Sequence, residues 1–195
     1  MSDINEEYYV LVCGSGKVPS PYISCSKSPY LTFREPASLK MPIQVEGSAE
    51  EGEEIPLIEA MAAPSDPVLS KRITKVLEYF DLYKVQLLPA AYTHNDNSQH
   101  VYSVLLVDND INAYDFDSGK YLRKSSDGEV LPDNCRLDEA KLSNISLEKR
   151  SIFRIRGMSD FLVHKSIAEP LIALNASGLH LVPLLEWDIG FGMTI

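Results

Sequence analysis

The amino-acid sequence predicts an α+β fold, with a mostly antiparallel sheet and two principal helices packed on one face. Three observations carry this. Short β-branched and aromatic runs recur along the chain at Tyr8 to Val12, Val85 to Leu88, Val101 to Val107 and Leu179 to Leu185. Two other segments, near Pro67 to Tyr83 and Ser166 to Ser177, repeat apolar residues at helical spacing. Asp108-Asn109-Asp110 and Ser118-Gly119 are turn compositions, so Val101 to Leu122 reads as a hairpin of Val101 to Val107 with Ile111 to Phe116, with room for a third strand after Ser118-Gly119.

Taken in order, Tyr8-Tyr9-Val10-Leu11-Val12 is a first strand that ends at Gly14, and its apolarity suits a central place in the sheet. Ser15 to Pro42 holds Pro19, Pro21, Pro29, Pro36 and Pro42, which forbid a long helix and leave mostly loop, with a short strand at Tyr30 to Phe33. The run Glu46 to Glu54 is acidic and glycine-containing; residues 46–54 are expected to repel one another and stay a poorly ordered, solvated loop. Asp66-Pro67 has the composition of an N-cap and first helical position, followed by Val68, Leu69, Ile73, Val76, Leu77 and Phe80 on one helical face. Ser125 to Gly128 is a turn, and Leu142 to Leu147 is a short strand or loop. The last unit reads as strand, helix, strand. Ile152, Phe153 and Ile155 form the first strand, and Ser166 with Glu169 makes a capping box. Pro170 falls in the first turn, Ile167, Leu171, Ile172 and Leu174 make the apolar stripe, and Gly178 closes the helix. Residues 1–195 are expected to form a single domain.

Composition narrows the function classes. The hydrophobic share of 45% against 24% charged is that of a globular chain with a packed core. The formal net charge of -10 disfavours nucleic acid or an anionic membrane as partner; it suits a basic protein, or simply a surface kept acidic for solubility. No apolar run approaches the roughly 20 residues of a membrane-spanning helix, and the acidic Met1 to Glu7 lacks the pattern of a secretory signal. Cys13, Cys25 and Cys135 are too scattered for a disulfide framework or zinc site, so a reduced, cytoplasmic setting is expected.

Several motifs invite a chemical reading. Gly14-Ser15-Gly16-Lys17 follows a strand, but Leu11 and Val18 replace the glycine and hydroxyl that a phosphate loop requires. Asp108, Asp110 and Asn112 have the spacing that opens a calcium loop, yet Ala113 and Gly119 occupy its glycine and glutamate positions. Asp115 and Asp117 share parity on the predicted strand; such a pair suits acid/base catalysis, or simply the solvated side of a half-buried sheet. His94 and His100 sit in a polar loop without a metal-ligand spacing, and His164 and His180 flank the terminal helix and could approach each other. No metal or cofactor is expected.

Tyr8-Tyr9-Val10-Leu11, Val101 to Leu105, Ala113-Tyr114-Asp115-Phe116-Asp117-Ser118, Ile152-Phe153-Arg154-Ile155-Arg156-Gly157, Leu162-Val163 and Ser177 to Pro183 together resemble immunity-protein family eleven of bacterial polymorphic toxin systems. The resemblance runs over most of the chain and is best after Ile152. It implies a non-enzymatic protein that binds a cognate toxin domain and blocks it, without cofactor, nucleic acid or membrane. Charge alone then nominates the toxin-binding residues: Asp108, Asp110, Asp115, Asp117 and the run Glu50, Glu51, Glu53, Glu54. The competing expectations are a small hydrolase using the aspartate pair with a histidine, and a regulatory or scaffold module.

Overall fold

The computed structural model describes residues 3–14, 22–25, 42–48, 56–62, 66–124, 130–155, 158 and 160–189. Its strands are β1 (Tyr8–Cys13), β2 (Tyr22–Cys25), β3 (Ile43–Ser48), β4 (Ala60–Met61), β5 (Val68–Ser70), β6 (Val85–Thr93), β7 (Gln99–Val107), β8 (Tyr121–Lys124), β9 (Val130–Pro132), β10 (Ile152–Phe153), β11 (Phe161–His164) and β12 (Leu179–Pro183). The helices are α1 (Lys71–Leu77), α2 (Glu139–Ser143) and α3 (Lys165–Ala173). The fold is α+β with mostly antiparallel sheets, and the strands divide between two main sheets and a small ribbon. One sheet has the order β10-β11-β1-β12, the second β2-β3-β6-β7-β5-β4, and β8 pairs with β9. Only β3 with β6 runs parallel among these pairs.

β1 takes the central place its apolarity predicts, between β11 and β12. Its alternate side chains enter different cores, as strand geometry requires. Val10 packs with Phe153, Leu162, Val182 and Trp187 against the irregular segment that carries Ile111, Tyr114 and Leu137. Leu11 packs on the opposite side with Phe161 and Val163, Ile73 and Leu77 of α1, Ile167 and Leu171 of α3, and Leu69 and Leu105 of the second sheet. The two principal helices therefore occupy one layer, facing one side of each main sheet. The far side of the second sheet has its own core of Val45, Ala90, Tyr102, Val104 and Met61.

Several expected boundaries move, each for a physical reason. Val68–Ser70 is a strand rather than the first helical turn, because it finds antiparallel partners in Tyr102, Ser103 and Val104. α1 starts only after Ser70 and ends at Leu77; Lys84 at φ 53 then turns the chain into β6. Asp66 does not cap it. α3 is capped by His164, whose Nδ1 accepts from the Ser166 N–H at 3.2 Å, instead of by Ser166 with Glu169. Pro170 lies inside α3 rather than in its first turn, and Asn175 at φ 47 follows its C-cap, Leu174. The terminal unit is strand, strand, helix, strand, since Phe161–His164 forms β11 beside β1.

The hairpin lies one strand earlier than its turn residues suggest. β7 folds back on β6 through His94–Ser98, with Asn97 at φ 63. Asp108-Asn109-Asp110 does not reverse the chain, because the Asn109 side-chain amide is held by the carbonyls of Lys149 and Ile152, both at 2.8 Å. Ile111 to Phe116 forms no strand; Tyr114 makes a single bridge to Leu137. Leu142 belongs to α2, which Asp138 caps through the Lys141 N–H. Glu46 to Ser48, expected to be poorly ordered, complete β3 between β2 and β6. The expected strand Tyr30 to Phe33 and turn Ser125 to Gly128 lie outside the described residues.

Candidate functional site

The nominated acids do not converge. Asp108 leaves the end of β7 exposed, its amide donating to the Lys84 carbonyl at 2.9 Å. Asp110 is exposed, and its backbone bridges Arg154. Asp115 and Asp117 sit in a tight loop rather than on one face of a strand. Asp115 Oδ1 accepts from the Asp117 N–H at 2.9 Å and the Ser118 N–H at 3.4 Å, and Oδ2 accepts from the Ser118 hydroxyl. The Ser118 hydroxyl, then the Asp117 amide, hold the Asp115 carboxyl below its ordinary pKa. A carboxylate held ionised by its own turn is a cap and a fixed anion. Asp117 beside it is exposed. Glu50, Glu51, Glu53 and Glu54 lie outside the described residues.

Tyr114 is the pivot of that loop. It is buried, with its phenol oxygen 2.7 Å from the Lys120 carbonyl and 3.2 Å from the Asn134 carbonyl, so the chain closes on itself between Asp115 and Lys120. Gly119 lies against the Tyr114 ring where a Cβ would collide. The ring centroids of Phe116 and Tyr121 stand 5.0 and 6.5 Å from that of Tyr114 and 6.0 Å from each other. Tyr121 is 46% exposed.

The histidines fall into separate places. His94 and His100 meet across the β6–β7 turn with ring centroids 6.4 Å apart; Tyr92 hydroxyl lies 3.1 Å from His94 Nδ1, and Ser98 hydroxyl 2.8 Å from His100 Nε2. Among the described residues no group of three or more His, Cys, Asp or Glu side chains is placed to hold a metal ion. His164 and His180 lie on strands that flank β1 from opposite sides, opposite Tyr8 and Val12. Cys135 is a free thiol whose pKa burial pushes up to about 12, so it is a poor nucleophile at neutral pH.

Two buried polar constellations escaped the sequence reading. In one, Arg150 Nη1 donates to the Tyr8 hydroxyl at 2.7 Å, and His164 Nε2 lies 3.6 Å from Glu7 Oε2 while its Nδ1 caps α3. Burial first, opposed by the Glu7 charge, lowers the His164 pKa. In the other, Arg154 pairs with Asp66 at 3.0 Å, with side chains 12% and 1% exposed, and its guanidinium lies 4.4 Å from the Phe161 ring centroid. These partners are far apart in sequence, so no local pattern reveals them. Their oxygens and nitrogens hold elements together.

Between α3 and β12 lies an open groove of about 320 Å³ lined by Leu171, Ile172, Leu179, Leu181, Pro183 and Glu186 among others. Pro183 offers no backbone donor at that edge, which blunts strand addition there. No helix among the described residues is long and apolar enough to cross a membrane. No protein-family model and no curated protein matches the chain.

Proposed function

We infer that the protein is a non-enzymatic immunity protein that binds and neutralises a cognate bacterial toxin domain in the cytoplasm, without metal or cofactor. The observation that carries this reading is the state of its acids: on a chain of net charge -10, Asp108, Asp110 and Asp117 are exposed and Asp115 is fixed as an anion by its own turn. Such carboxylates attract and orient a basic protein surface. The same geometry supports binding over hydrolysis by the aspartate pair, because a general base needs a free lone pair aimed at substrate and Asp115 accepts three hydrogen bonds within its turn. The resemblance to immunity-protein family eleven supplies the kind of partner.

The reading is tested by capturing partners with the tagged protein from its native cells, identifying them by mass spectrometry, and repeating the binding over a range of salt. Recovery of a toxin domain encoded beside this gene, bound less tightly as salt rises, supports it. A toxin domain that is present in the same cells and does not bind contradicts it.

A further inference from the structure

We propose that the outer edge of β12 takes a short extended segment of a basic protein partner as an added strand. The segment pairs with Leu181, seats one apolar side chain in the groove beside α3 and sets a cation against Glu186. The inference rests on the protein-binding reading above and gives it a place and a chemistry.

The backbone supplies the edge. β12 ends its sheet, pairing with β1 on one side and with no strand on the other among the described residues. The register sets Val12 opposite His180 and Val10 opposite Val182, and the Gly14 N–H donates to the Gly178 carbonyl at 2.9 Å. Hydrogen-bonded pairs alternate along an antiparallel ladder, so His180 and Val182 turn their amides and carbonyls toward β1 and Leu181 turns both of its own outward. The Leu179 carbonyl points outward as well, while its N–H donates to the Ala176 carbonyl at 3.2 Å. Pro183 brings no N–H, so the added ladder is short and centres on Leu181. A partner residue set opposite Leu181, in either strand direction, puts its side chain on the same face of the sheet as that of Leu181.

That face carries the groove. Leu179 and Leu181 pack there against the core that holds Leu171, and Ile172 lines the same space while 47% exposed. At about 320 Å³ the groove is at the lower end of ligand pockets, with room for a side chain or two and not for a domain face. Charge selects the occupant. Glu186 is exposed and lines the groove, with no lysine or arginine among the described residues that line it, on a chain of net charge -10. The edge beside it offers the carbonyls of Leu179 and Leu181 against the single N–H of Leu181. Acceptors and an anion suit a segment that brings donors and positive charge, and they disfavour a second copy of this acidic chain.

The test uses the full chain, ¹⁵N-labelled, titrated at low salt and into the millimolar range with a capped Lys-Thr-Leu-Thr-Lys peptide. Both lysines share the face of the leucine, so one meets Glu186 in either strand direction. Its counterparts are Glu-Thr-Leu-Thr-Glu, and the lysine peptide N-methylated at leucine and the threonine after it, which removes the donor for the Leu181 carbonyl. Amide shifts are expected to concentrate in 171–172 and 179–182. Affinity should be about threefold or more weaker for the glutamate peptide and about fivefold or more weaker for the methylated one. Ile172→Ser and Glu186→Lys should each weaken the lysine peptide; both side chains are exposed, and an unchanged spectrum elsewhere confirms each variant is folded. Shifts centred on another surface, affinity unchanged by charge reversal or by methylation, or no binding overturns the proposal. The same shifts arising with protein concentration alone give the edge to a second copy and overturn it too. Peptide binding at this edge in a chain that gives no toxin protection sinks the immunity reading alone; toxin binding undisturbed by Ile172→Ser and Glu186→Lys sinks this inference alone.

Discussion

His164 shows how much one side chain can carry. Its Nδ1 must be unprotonated to accept the Ser166 N–H, and burial holds its pKa below the ordinary histidine value. The unfolded chain therefore takes up the proton first, at about pH 6.5. Stability from this group is complete above that pH and is lost as pH falls from there toward the lower folded value, by up to about 1.4 kcal/mol per pH unit within that window. Replacing His164 with Asn keeps a capping oxygen and removes the proton uptake. Urea midpoints at about pH 7.5 and 5.5 should then fall further for the wild type than for His164→Asn, the two sharing every other titration; equal falls contradict the assignment. Gly178 is the other position where one atom decides. At φ 77, with the Ala60 carbonyl oxygen where a Cβ would stand, Gly178→Ala should lower stability by about 1–3 kcal/mol in the same urea assay. A change below about 0.5 kcal/mol would mean that neither the backbone angle nor the close approach matters.

At the scale of elements, the strand pattern was the most legible part of the sequence. β1 is central because apolar residues on both parities allow both faces to be buried, and that requirement shows locally. The start of α1 was misleading because the composition Asp66-Pro67 suits an N-cap, while the Asp66 carboxylate is taken by Arg154, 88 residues away. Capping by His164 was hidden since the expected caps are Ser, Thr, Asp and Asn. Asp115 and Asp117 would share a face only on a strand, and the Tyr114 hydroxyl, held by the Lys120 and Asn134 carbonyls, closes that segment into a loop instead. The acids were thus legible as residues but not as a constellation. The buried pair has a measurable consequence. Asp66→Leu, leaving the guanidinium of Arg154 without this partner, should cost about 3–5 kcal/mol, whereas Asp66→Leu with Arg154→Met should cost less than the single change. A double variant as unstable as the sum of both single variants would show that the two side chains act independently.

For the whole molecule, the dominant quantity is the excess of 28 acidic over 18 basic side chains. Such a field speeds encounter with a basic partner and weakens with salt, while the contacts made on docking set how long the complex lives. Reversing the exposed charges should accordingly act on association. If the proposed toxin partner is right, Asp115→Lys with Asp117→Lys should slow its association about tenfold or more at low salt, and by less at high salt; an unchanged association rate would remove these acids from the interface.

The proposed protective role is measured most directly by growth. A candidate toxin domain, found by its capture with this chain, is expressed from an inducible promoter, alone and together with this chain, in a strain that lacks both. Arrest with the toxin alone and restored growth with this chain, lost again when its binding is abolished, is the predicted result. Arrest that persists with the folded chain present at equal or higher level would contradict the account.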